Sequence, residues 1–213
     1  MKRGACPRKE ASRPRPVPIS PIRLFLICVS LPLVFSSTSY AKTLHGTLIR
    51  VCDGDTILVR VQGRKEYVRL REIDAPEISR RKQAGQEPWG KKARLFALSL
   101  VKDRAIRLEV EERDERDTYR RLLAYVFAGE VLINRELIQS GNAFFSPGRF
   151  HGRHASQLER AEGAAREKGV GVWDRKNGLR ESPRDFRIRT QREESLFSRF
   201  GSSESKKRHP AKD

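Results

Sequence analysis

Short runs in which apolar and polar residues alternate begin at His45 and predict a series of β-strands. In residues 56–61, for example, the alternation places Ile57, Val59 and Val61 on one face. The first three strands are predicted at residues 47–51, 56–61 and 66–73. Glycine-containing turns separate them, as expected of hairpin connections, so the three strands should form an antiparallel meander.

The spacing of apolar residues changes to a helical period after the third strand. Residues 88–102 place Ala93, Ala97 and Val101 on one stripe, which predicts a helix. The segments that follow are predicted as two strands and two helices, at residues 105–111, 119–128, 132–140 and 153–168. The order β-β-β-α-β-β-α-α is typical of the OB-fold. We therefore predict an α+β fold, a five-stranded OB-fold β-barrel with three packed helices, formed by residues 42–174.

A different pattern occupies the N-terminus. Residues 24–35 form an apolar run that is too short to span a bilayer as a helix, and it follows a stretch rich in arginine and proline. The small residues Ser39 and Ala41 then stand where a signal peptidase requires them. This layout predicts a secretory signal peptide at residues 1–41, cleaved after Ala41, and a buried core segment is the alternative. The mature protein should then be exported, to the periplasm or the medium, with no membrane span left after cleavage.

The charge balance adds a preference for polyanions. The chain has 45 lysines and arginines against 27 aspartates and glutamates, a net charge of +18. A surface this basic attracts nucleic acid through Coulomb forces and counterion release. Basic tails that are merely solvated, or that serve in targeting, would give the same composition. Residues 175–213 are basic and show no apolar period, so they are predicted to form a disordered C-terminal tail.

Polar residues are concentrated at the predicted strand ends, where barrel closure would bring them together. Asp55 enters the second strand, Asp74 and Glu77 follow the third, and Arg69 and Arg121 lie on the third and fifth. Phosphodiester hydrolysis needs a base for the attacking water and charge stabilisation at the phosphate. The two aspartates could bind a hard cation such as Ca²⁺, the glutamate could activate water, and the two arginines could grip the phosphate.

Each of these features also has a purely structural explanation. Asp-Gly-Asp is common in turns because aspartate hydrogen-bonds to its own backbone. Pro76 would end a strand in any protein. Arginines on a charged surface usually form exposed ion pairs. Taken singly, therefore, none of these features decides the function.

Three stretches, taken together and in this order, resemble the signature segments of the staphylococcal nuclease (thermonuclease-like) family. They are residues 51–56 (VCDGDT), 68–77 (VRLREIDAPE) and 119–125 (YRRLLAY), and the resemblance extends over about residues 44–173. It implies an OB-fold, one bound Ca²⁺ and endonucleolytic cleavage that leaves 3′-phosphate ends. The substrates that it implies are DNA and RNA, with single-stranded or unpaired regions favoured. We expect the protein to be a monomer.

The resemblance also assigns roles to individual residues. The metal ligands that it implies are Asp55, Asp74 and, through its backbone carbonyl, Ala75. The phosphate-binding arginines and the proposed general base are Arg69, Arg121 and Glu77. The substrate contact that it implies is Tyr119, and Arg120 is predicted as a further one from its place beside Arg121. Two positions depart from the family pattern: Ala75 replaces a threonine, which leaves the carbonyl in place, and Arg120 replaces a glycine, which adds a possible phosphate contact.

A catalytically inactive OB-fold protein that binds nucleic acid is the alternative function, because this fold binds single strands widely. A binder of that kind would be expected to have lost at least one catalytic or metal-binding side chain. Asp55, Arg69, Asp74, Glu77 and Arg121 are all present. The sequence therefore favours a Ca²⁺-dependent nuclease.

Overall fold

The computed structural model describes residues 41–80 and 84–205. Apart from Ala41, the predicted signal peptide lies outside the described residues and stays a prediction. The strands are β1 (Ala41–Asp53), β2 (Thr56–Val61), β3 (Arg64–Leu70), β4 (Ile73–Asp74), β5 (Ile106–Glu111), β6 (Leu122–Ala128), β7 (Val131–Leu132) and β8 (Phe144–Phe145). The helices are α1 (Trp89–Val101), α2 (Ile133–Gln139), α3 (Ala155–Lys168) and α4 (Pro183–Ser205).

Five of the strands close into a barrel. β1 pairs in antiparallel fashion with both β2 and β5, β2 pairs with β3, and β5 pairs with β6. A parallel pairing of β3 with β6, through Val68 with Leu122 and Leu70 with Ala124, closes the ring. The predicted α+β fold with a five-stranded OB-type barrel is therefore confirmed.

The interior of the barrel is filled by the apolar residues that alternate along its strands. Val59, Val68 and Leu108 are fully buried there, and Ala97 of α1 and Leu137 of α2 belong to the same core. Burying a large aliphatic side chain stabilises the fold by about 1.5–3 kcal/mol, so this core holds the strand ends in fixed positions. None of the described helices is both long and apolar enough to cross a membrane.

The first strand is longer than predicted, since β1 begins at Ala41 and not at residue 47. Two other boundaries differ at a residue with left-handed backbone. The third strand is predicted too long, and β3 ends at Leu70 because Glu72 has a φ of +58°. The fifth strand is predicted to start too early, and β6 begins at Leu122 because Arg120 has a φ of +62°. Left-handed residues turn the chain out of a sheet. Both breaks place residues of the candidate site in loops at the end of the barrel.

The C-terminal segment differs most from its prediction. Residues 175–213 are predicted to be disordered, but 23 residues from Pro183 onward form α4. The Ser182 hydroxyl accepts the backbone N–H of Asp185 at 3.1 Å and donates to the Asp185 carboxylate at 2.7 Å. This capping arrangement, with proline in the first turn, starts a helix locally, and Phe186 buries its ring. The prediction of disorder is wrong for α4, because a single buried aromatic residue leaves no apolar period to detect.

Candidate active site

A tight turn between β1 and β2 places Asp55 at the end of the barrel. Its sequence, Asp53-Gly54-Asp55, requires glycine at the centre, because a Cβ there would lie 2.6 Å from the Cβ of Ala75 and 2.7 Å from that of Ala93. The turn therefore packs directly against the segment after β4. There the backbone N–H of Ala75 donates to Asp55 Oδ2 at 2.8 Å. Asp55 is only 2% exposed, so its carboxylate joins two segments of the chain inside the protein.

Arg69, on β3, links the carboxylates of these two segments. It forms ion pairs with Asp55 and with Asp74, the latter at 2.8 Å between Nη2 and Oδ1. Its pairing with Thr56 across the β2–β3 ladder fixes it beside the turn. Burial acts to lower the pKa of Arg69, but the charges of Asp55 and Asp74 raise it above its ordinary value. The guanidinium group therefore keeps its positive charge at the centre of the site.

Asp55 is subject to opposing electrostatic effects. Burial raises the pKa of Asp55 well above its ordinary value, the positive charge of Arg69 lowers it, and the negative charges of Asp53 and Asp74 raise it. Carboxylates are thus crowded at a buried position. Such crowding favours the approach of a cation.

Glu77 lies in the loop after β4, and Gln86 holds that loop. The side-chain oxygen of Gln86 accepts the backbone N–H of Glu77 at 3.2 Å, and the backbone N–H of Gln86 donates to the Glu77 carbonyl at 2.8 Å. The Glu77 side chain is 32% exposed. A carboxylate that reaches solvent from a fixed loop is suited to take a proton from water.

Arg121 is positioned by Asp117 in the loop before β6. One carboxylate oxygen of Asp117 accepts the backbone N–H groups of Tyr119 at 3.0 Å and Arg121 at 2.8 Å, and the other accepts Arg121 Nε at 2.6 Å. Arg121 Nη1 also donates to Thr56 Oγ1 at 3.3 Å, which connects the loop with β2. Asp117 has no role in the sequence prediction, although an aspartate that bonds the backbone two residues ahead is a recognisable turn signal.

Most of the predicted site residues converge on one cavity of about 680 Å³. Its described lining from the barrel and its loops includes Asp55, Arg69, Ala75, Glu77, Tyr119 and Arg121. The ring of Tyr119 is 76% exposed, and the Arg121 guanidinium lies 5.3 Å from its centroid. Asp74 and Arg120 are not part of the described lining, for opposite reasons: Asp74 is buried and bound by arginines, whereas Arg120 is exposed. The structure therefore brings together all the predicted residues except Arg120.

A further wall of the cavity comes from α4, which carries Arg187. Arg187 Nη1 and Nη2 donate to the two carboxylate oxygens of Asp74 at 3.0 and 2.9 Å, and Nη1 also donates to Glu77 Oε1 at 2.7 Å. Burial acts to lower the pKa of Arg187, but its bonds to Asp74 and Glu77 raise it. No family motif marks this residue, which lies beyond the resemblance. The cap at Ser182 and the proline that follows it are the local signals that a helix begins near it.

The oxygen atoms of the site are of the kind that Ca²⁺ binds. Asp55 and Asp74 supply carboxylates, and Ala75 lies next to Asp74 with its N–H bonded to Asp55. Within the part of the chain that the structure describes, no group of three or more His, Cys, Asp or Glu side chains is arranged to hold a metal ion. The residues fit a site in which two carboxylates are completed by carbonyl and water oxygens. Ca²⁺ accepts such a set of hard ligands.

A second cavity, of about 450 Å³, adjoins the first and shares Asp53, Arg80 and Arg121 with it. Its described lining includes four arginines, which are Arg50, Arg80, Arg94 and Arg121. Arg94 Nε donates to a backbone carbonyl on β1 at 3.1 Å, and Arg50 Nη2 donates to the Tyr67 hydroxyl at 3.3 Å. A groove that combines arginines with an exposed aromatic ring suits a polyanionic strand.

Comparison with known proteins agrees with this geometry. The family described as "Staphylococcal nuclease homologue" matches residues 67–175. The thermonuclease of Staphylococcus intermedius is 35% identical over 129 residues, which cover 59% of this chain and 74% of that protein. The thermonuclease of Staphylococcus hyicus is 32% identical over 145 residues, 67% of this chain and 83% of that protein. Endonuclease YncB of Bacillus subtilis is 31% identical over 143 residues, 65% of this chain and 66% of that protein. The chain therefore belongs to the staphylococcal nuclease family.

Proposed function

We propose that this chain is a Ca²⁺-dependent endonuclease that hydrolyses phosphodiester bonds in DNA and RNA and leaves 3′-phosphate ends. The observation that carries the proposal is the convergence of Asp55, Arg69, Glu77 and Arg121 on one cavity, with Asp74 bound to Arg69 behind it. These side chains come from four separate segments. Together they supply the base, the positive charge and the cation ligands that this reaction needs.

Glu77 is the general base of the proposed reaction. Its carboxylate lies at the edge of the cavity and is partly exposed. Its backbone N–H and its backbone carbonyl are both hydrogen-bonded to Gln86. A base held in this way can accept the proton of a water molecule as the oxygen attacks phosphorus. As this bond forms, the bond from phosphorus to the 5′ oxygen breaks, and the departing oxygen takes a proton from solvent, which leaves a 3′-phosphate and a 5′-hydroxyl end. The proton on Glu77 is then exchanged with solvent.

Arg69 and Arg121 stabilise the charge that develops on the phosphate oxygens. Asp117 fixes Arg121 through Nε, and Thr56 bonds one of its terminal nitrogens, so its orientation is set before substrate binds. Arg69 is held in the same way by Asp55 and Asp74. Positive groups that are already oriented stabilise a transition state without further reorganisation.

The residues that would hold Ca²⁺ are Asp55, Asp74 and the carbonyl of Ala75. When bound, the cation supplies Lewis-acid polarisation of the phosphate and offsets the charge of the crowded carboxylates. The same carboxylates orient Arg69, so the cation site and the phosphate site share their supports.

The substrate is a polynucleotide strand that extends past the scissile phosphate. The arginine-lined second cavity continues from the first through Arg121, and the exposed ring of Tyr119 stands beside it. Arginines that track a backbone and aromatic rings that stack on bases favour single strands. This arrangement supports a preference for single-stranded or unpaired regions, and we propose that the enzyme acts as a monomer.

The enzyme acts outside the cytoplasm in this proposal. The supporting observation is the basic, apolar and small-residue layout of residues 1–41. N-terminal sequencing of the exported protein should find Lys42 as the first residue. A mature chain that still contained residues 24–35 would contradict the proposal and indicate an enzyme tethered to a membrane.

The activity is tested with end-labelled single-stranded DNA and RNA, in Ca²⁺ and in excess chelator. We expect cutting in Ca²⁺, its loss in chelator, and products that a polymerase extends only after phosphatase treatment, because their 3′ ends carry phosphate. Full activity in excess chelator would refute the role of Ca²⁺. Tight binding without cutting under any divalent cation would show instead that the chain is an inactive OB-fold binder.

A further inference from the structure

Arg187 of α4 binds the carboxylates on which the proposed function depends. Its two terminal nitrogens bond both oxygens of Asp74, and one of them also bonds Glu77. Arg69 already donates to Asp74 Oδ1. Both oxygens of Asp74 therefore accept hydrogen bonds from guanidinium groups, and Oδ2 is bound by Arg187.

A cation that binds Asp74 needs the same oxygen atoms. Bidentate pairs between arginine and carboxylate are among the strongest hydrogen-bonded contacts in proteins, so the fork of Arg187 is an effective competitor for this ligand. We infer that Arg187 competes with the divalent cation for Asp74 and Glu77, and that it thereby sets the cation concentration that the enzyme requires. This inference rests on the proposed Ca²⁺-dependent function.

The wall that α4 contributes to the cavity also contains acidic side chains. Glu193 and Glu194 are part of the cavity lining, and Glu193 is paired with Arg189 of the same helix at 3.1 Å. Carboxylates at this wall repel the phosphates of an entering strand. With α4 in this position, therefore, Arg187 opposes the cation, and Glu194 opposes the polyanion.

The attachment of α4 is light enough to be displaced by a ligand. Pro183 and Phe186 of its first turns are buried, whereas its described side chains from Gln191 to Leu196 are exposed. An element with few buried apolar contacts opens locally at a small cost in free energy. A cation that takes over Asp74 can therefore release the helix without unfolding the barrel.

Calcium binding to the full mature chain tests the inference, by isothermal titration calorimetry of wild type, Arg187→Gln and Arg187→Lys. Loss of the competing fork should lower the Kd for Ca²⁺ by about tenfold in Arg187→Gln. Arg187→Lys keeps the charge without the fork and should lie between this variant and wild type. The matched control is Arg192→Gln, an exposed arginine on the same helix, which should leave the Kd within about twofold of wild type.

Hydrogen–deuterium exchange gives a second readout that does not depend on the variants. Adding Ca²⁺ to wild type should speed amide exchange in residues 186–191 and leave α2 and α3 unchanged. Unchanged exchange there, together with equal Kd values for wild type and Arg187→Gln, would overturn the inference. So would a fall of more than about tenfold in kcat of Arg187→Gln at saturating Ca²⁺, because Arg187 would then act in the transition state.

These outcomes are separable from a failure of the proposed function. If wild type binds Ca²⁺ and cuts nucleic acid while Arg187→Gln has the wild-type Kd, only the competition is refuted. If wild type neither binds Ca²⁺ nor cuts, the proposed function fails and the competition fails with it. Should Arg187→Gln not fold, the exchange measurement on wild type still decides between the two results.

Discussion

Two arginines that stand two residues apart, Arg69 and Arg71, each hold a pair of acidic residues, yet their surroundings differ in every other respect. Arg69 binds Asp55 and Asp74 and lines the open cavity. Arg71 is 2% exposed, and it contacts Glu111 at 3.3 Å and the backbone carbonyl of Asp114 at 3.2 Å. We call Asp55, Arg69, Asp74, Glu77 and Arg121 the cavity cluster, and Arg71, Glu72, Glu111 and Tyr125 the buried cluster.

The buried cluster is completed by backbone groups and by a phenol. Glu72 accepts the N–H of Gly152 at 2.9 Å and the hydroxyl of Tyr125 at 2.5 Å. Glu111 accepts the N–H of Arg153 at 2.8 Å. Glycine is required at residue 152, because a Cβ there would overlap the Tyr125 hydroxyl. The cluster therefore joins the loop before α3 to the barrel.

The difference teaches how a charged cluster that binds ligands can be told from one that only supports the fold. In the buried cluster, Glu72 and Glu111 accept hydrogen bonds from fixed protein donors and are closed off from solvent. In the cavity cluster, carboxylates repel one another, share arginines and open onto a cavity. Only a cluster of the cavity type is stabilised when a cation or a phosphate binds.

The largest effect is expected from catalytic side chains of the cavity cluster. Glu77→Gln keeps the size of the side chain and removes the base, so kcat should fall by about 10²–10⁴-fold. Arg121→Lys keeps the charge and loses the fork, so its kcat should also fall strongly. Steady-state cleavage beside equilibrium strand binding measures both, with the exposed Glu130→Gln as the matched control. Wild-type rates in both variants would exclude these residues from the catalytic machinery.

The buried cluster should show the opposite profile. Arg71→Met leaves Glu111 charged and without its guanidinium partner, so the free energy of unfolding should fall by about 3–5 kcal/mol. The kcat of the protein that remains folded should stay at the wild-type value, because Arg71 is closed off from the cavity. Urea unfolding and a cleavage assay on the same preparation decide the matter. A variant of normal stability that had lost its activity would erase the distinction between the clusters.

A smaller effect is expected at the edge of the buried cluster. Tyr125→Phe removes one hydrogen bond to Glu72 and should lower the free energy of unfolding by about 1–3 kcal/mol. The bond between Glu72 and the N–H of Gly152 can persist. Equal unfolding free energies for this variant and wild type would mean that the phenol adds nothing to the cluster.

Tyr125 should also make the free energy of unfolding depend on pH in the alkaline range. Burial, followed by the hydrogen bond and charge of Glu72, raises the pKa of Tyr125 above its ordinary value of 10.0. The folded phenol then keeps its proton where the unfolded one loses it, so this stabilisation is fully present below about pH 10 and is lost as the pH rises. From about pH 9 to about pH 11, wild type should lose roughly 1.4 kcal/mol more than Tyr125→Phe. If the unfolding free energies of wild type and Tyr125→Phe fell in parallel over this pH range, the raised pKa of Tyr125 would be contradicted.

The smallest effect is expected on the binding of single-stranded nucleic acid beyond the cavity cluster, in the second cavity. Arg94→Gln should weaken binding of a long single strand by about 1 kcal/mol at low salt, because one phosphate contact is lost. It should leave binding of a dinucleotide unchanged. Arg160→Gln, exposed on α3, is the matched control. Equal losses in the two variants would mean that the second cavity has no specific part in binding.

The sequence was sufficient to predict the barrel and most of the cavity cluster. Period-two alternation located the strands, and the three motifs placed Asp55, Arg69, Asp74, Glu77 and Arg121 at strand ends that barrel closure brings together. Local pattern and motif agree there, which is the condition under which sequence reasoning works.

The features that escaped prediction depend on contacts between distant parts of the chain. Arg187 meets Asp74 across 113 residues, and no local pattern encodes that contact. The buried cluster was missed because Arg71 and Glu72 belong to a stretch that reads as a continuing strand, whereas Glu72 turns out of the sheet. The placement of Arg120 at the substrate was based only on its position beside Arg121, where the family pattern has glycine; in the structure Arg120 has left-handed backbone and an exposed side chain.

The most direct test of the account compares the rates at which Arg69→Lys and Arg71→Lys cut single-stranded DNA in saturating Ca²⁺. Both are measured at a temperature where urea unfolding shows each variant to be folded. Arg69→Lys should lose about 10²-fold or more in kcat/KM, because an oriented donor to the phosphate is removed. Arg71→Lys should cut at the wild-type rate. Equal losses in the two variants, or an Arg69→Lys enzyme that cuts at the wild-type rate, would contradict the assignment of the nuclease site to the cavity cluster.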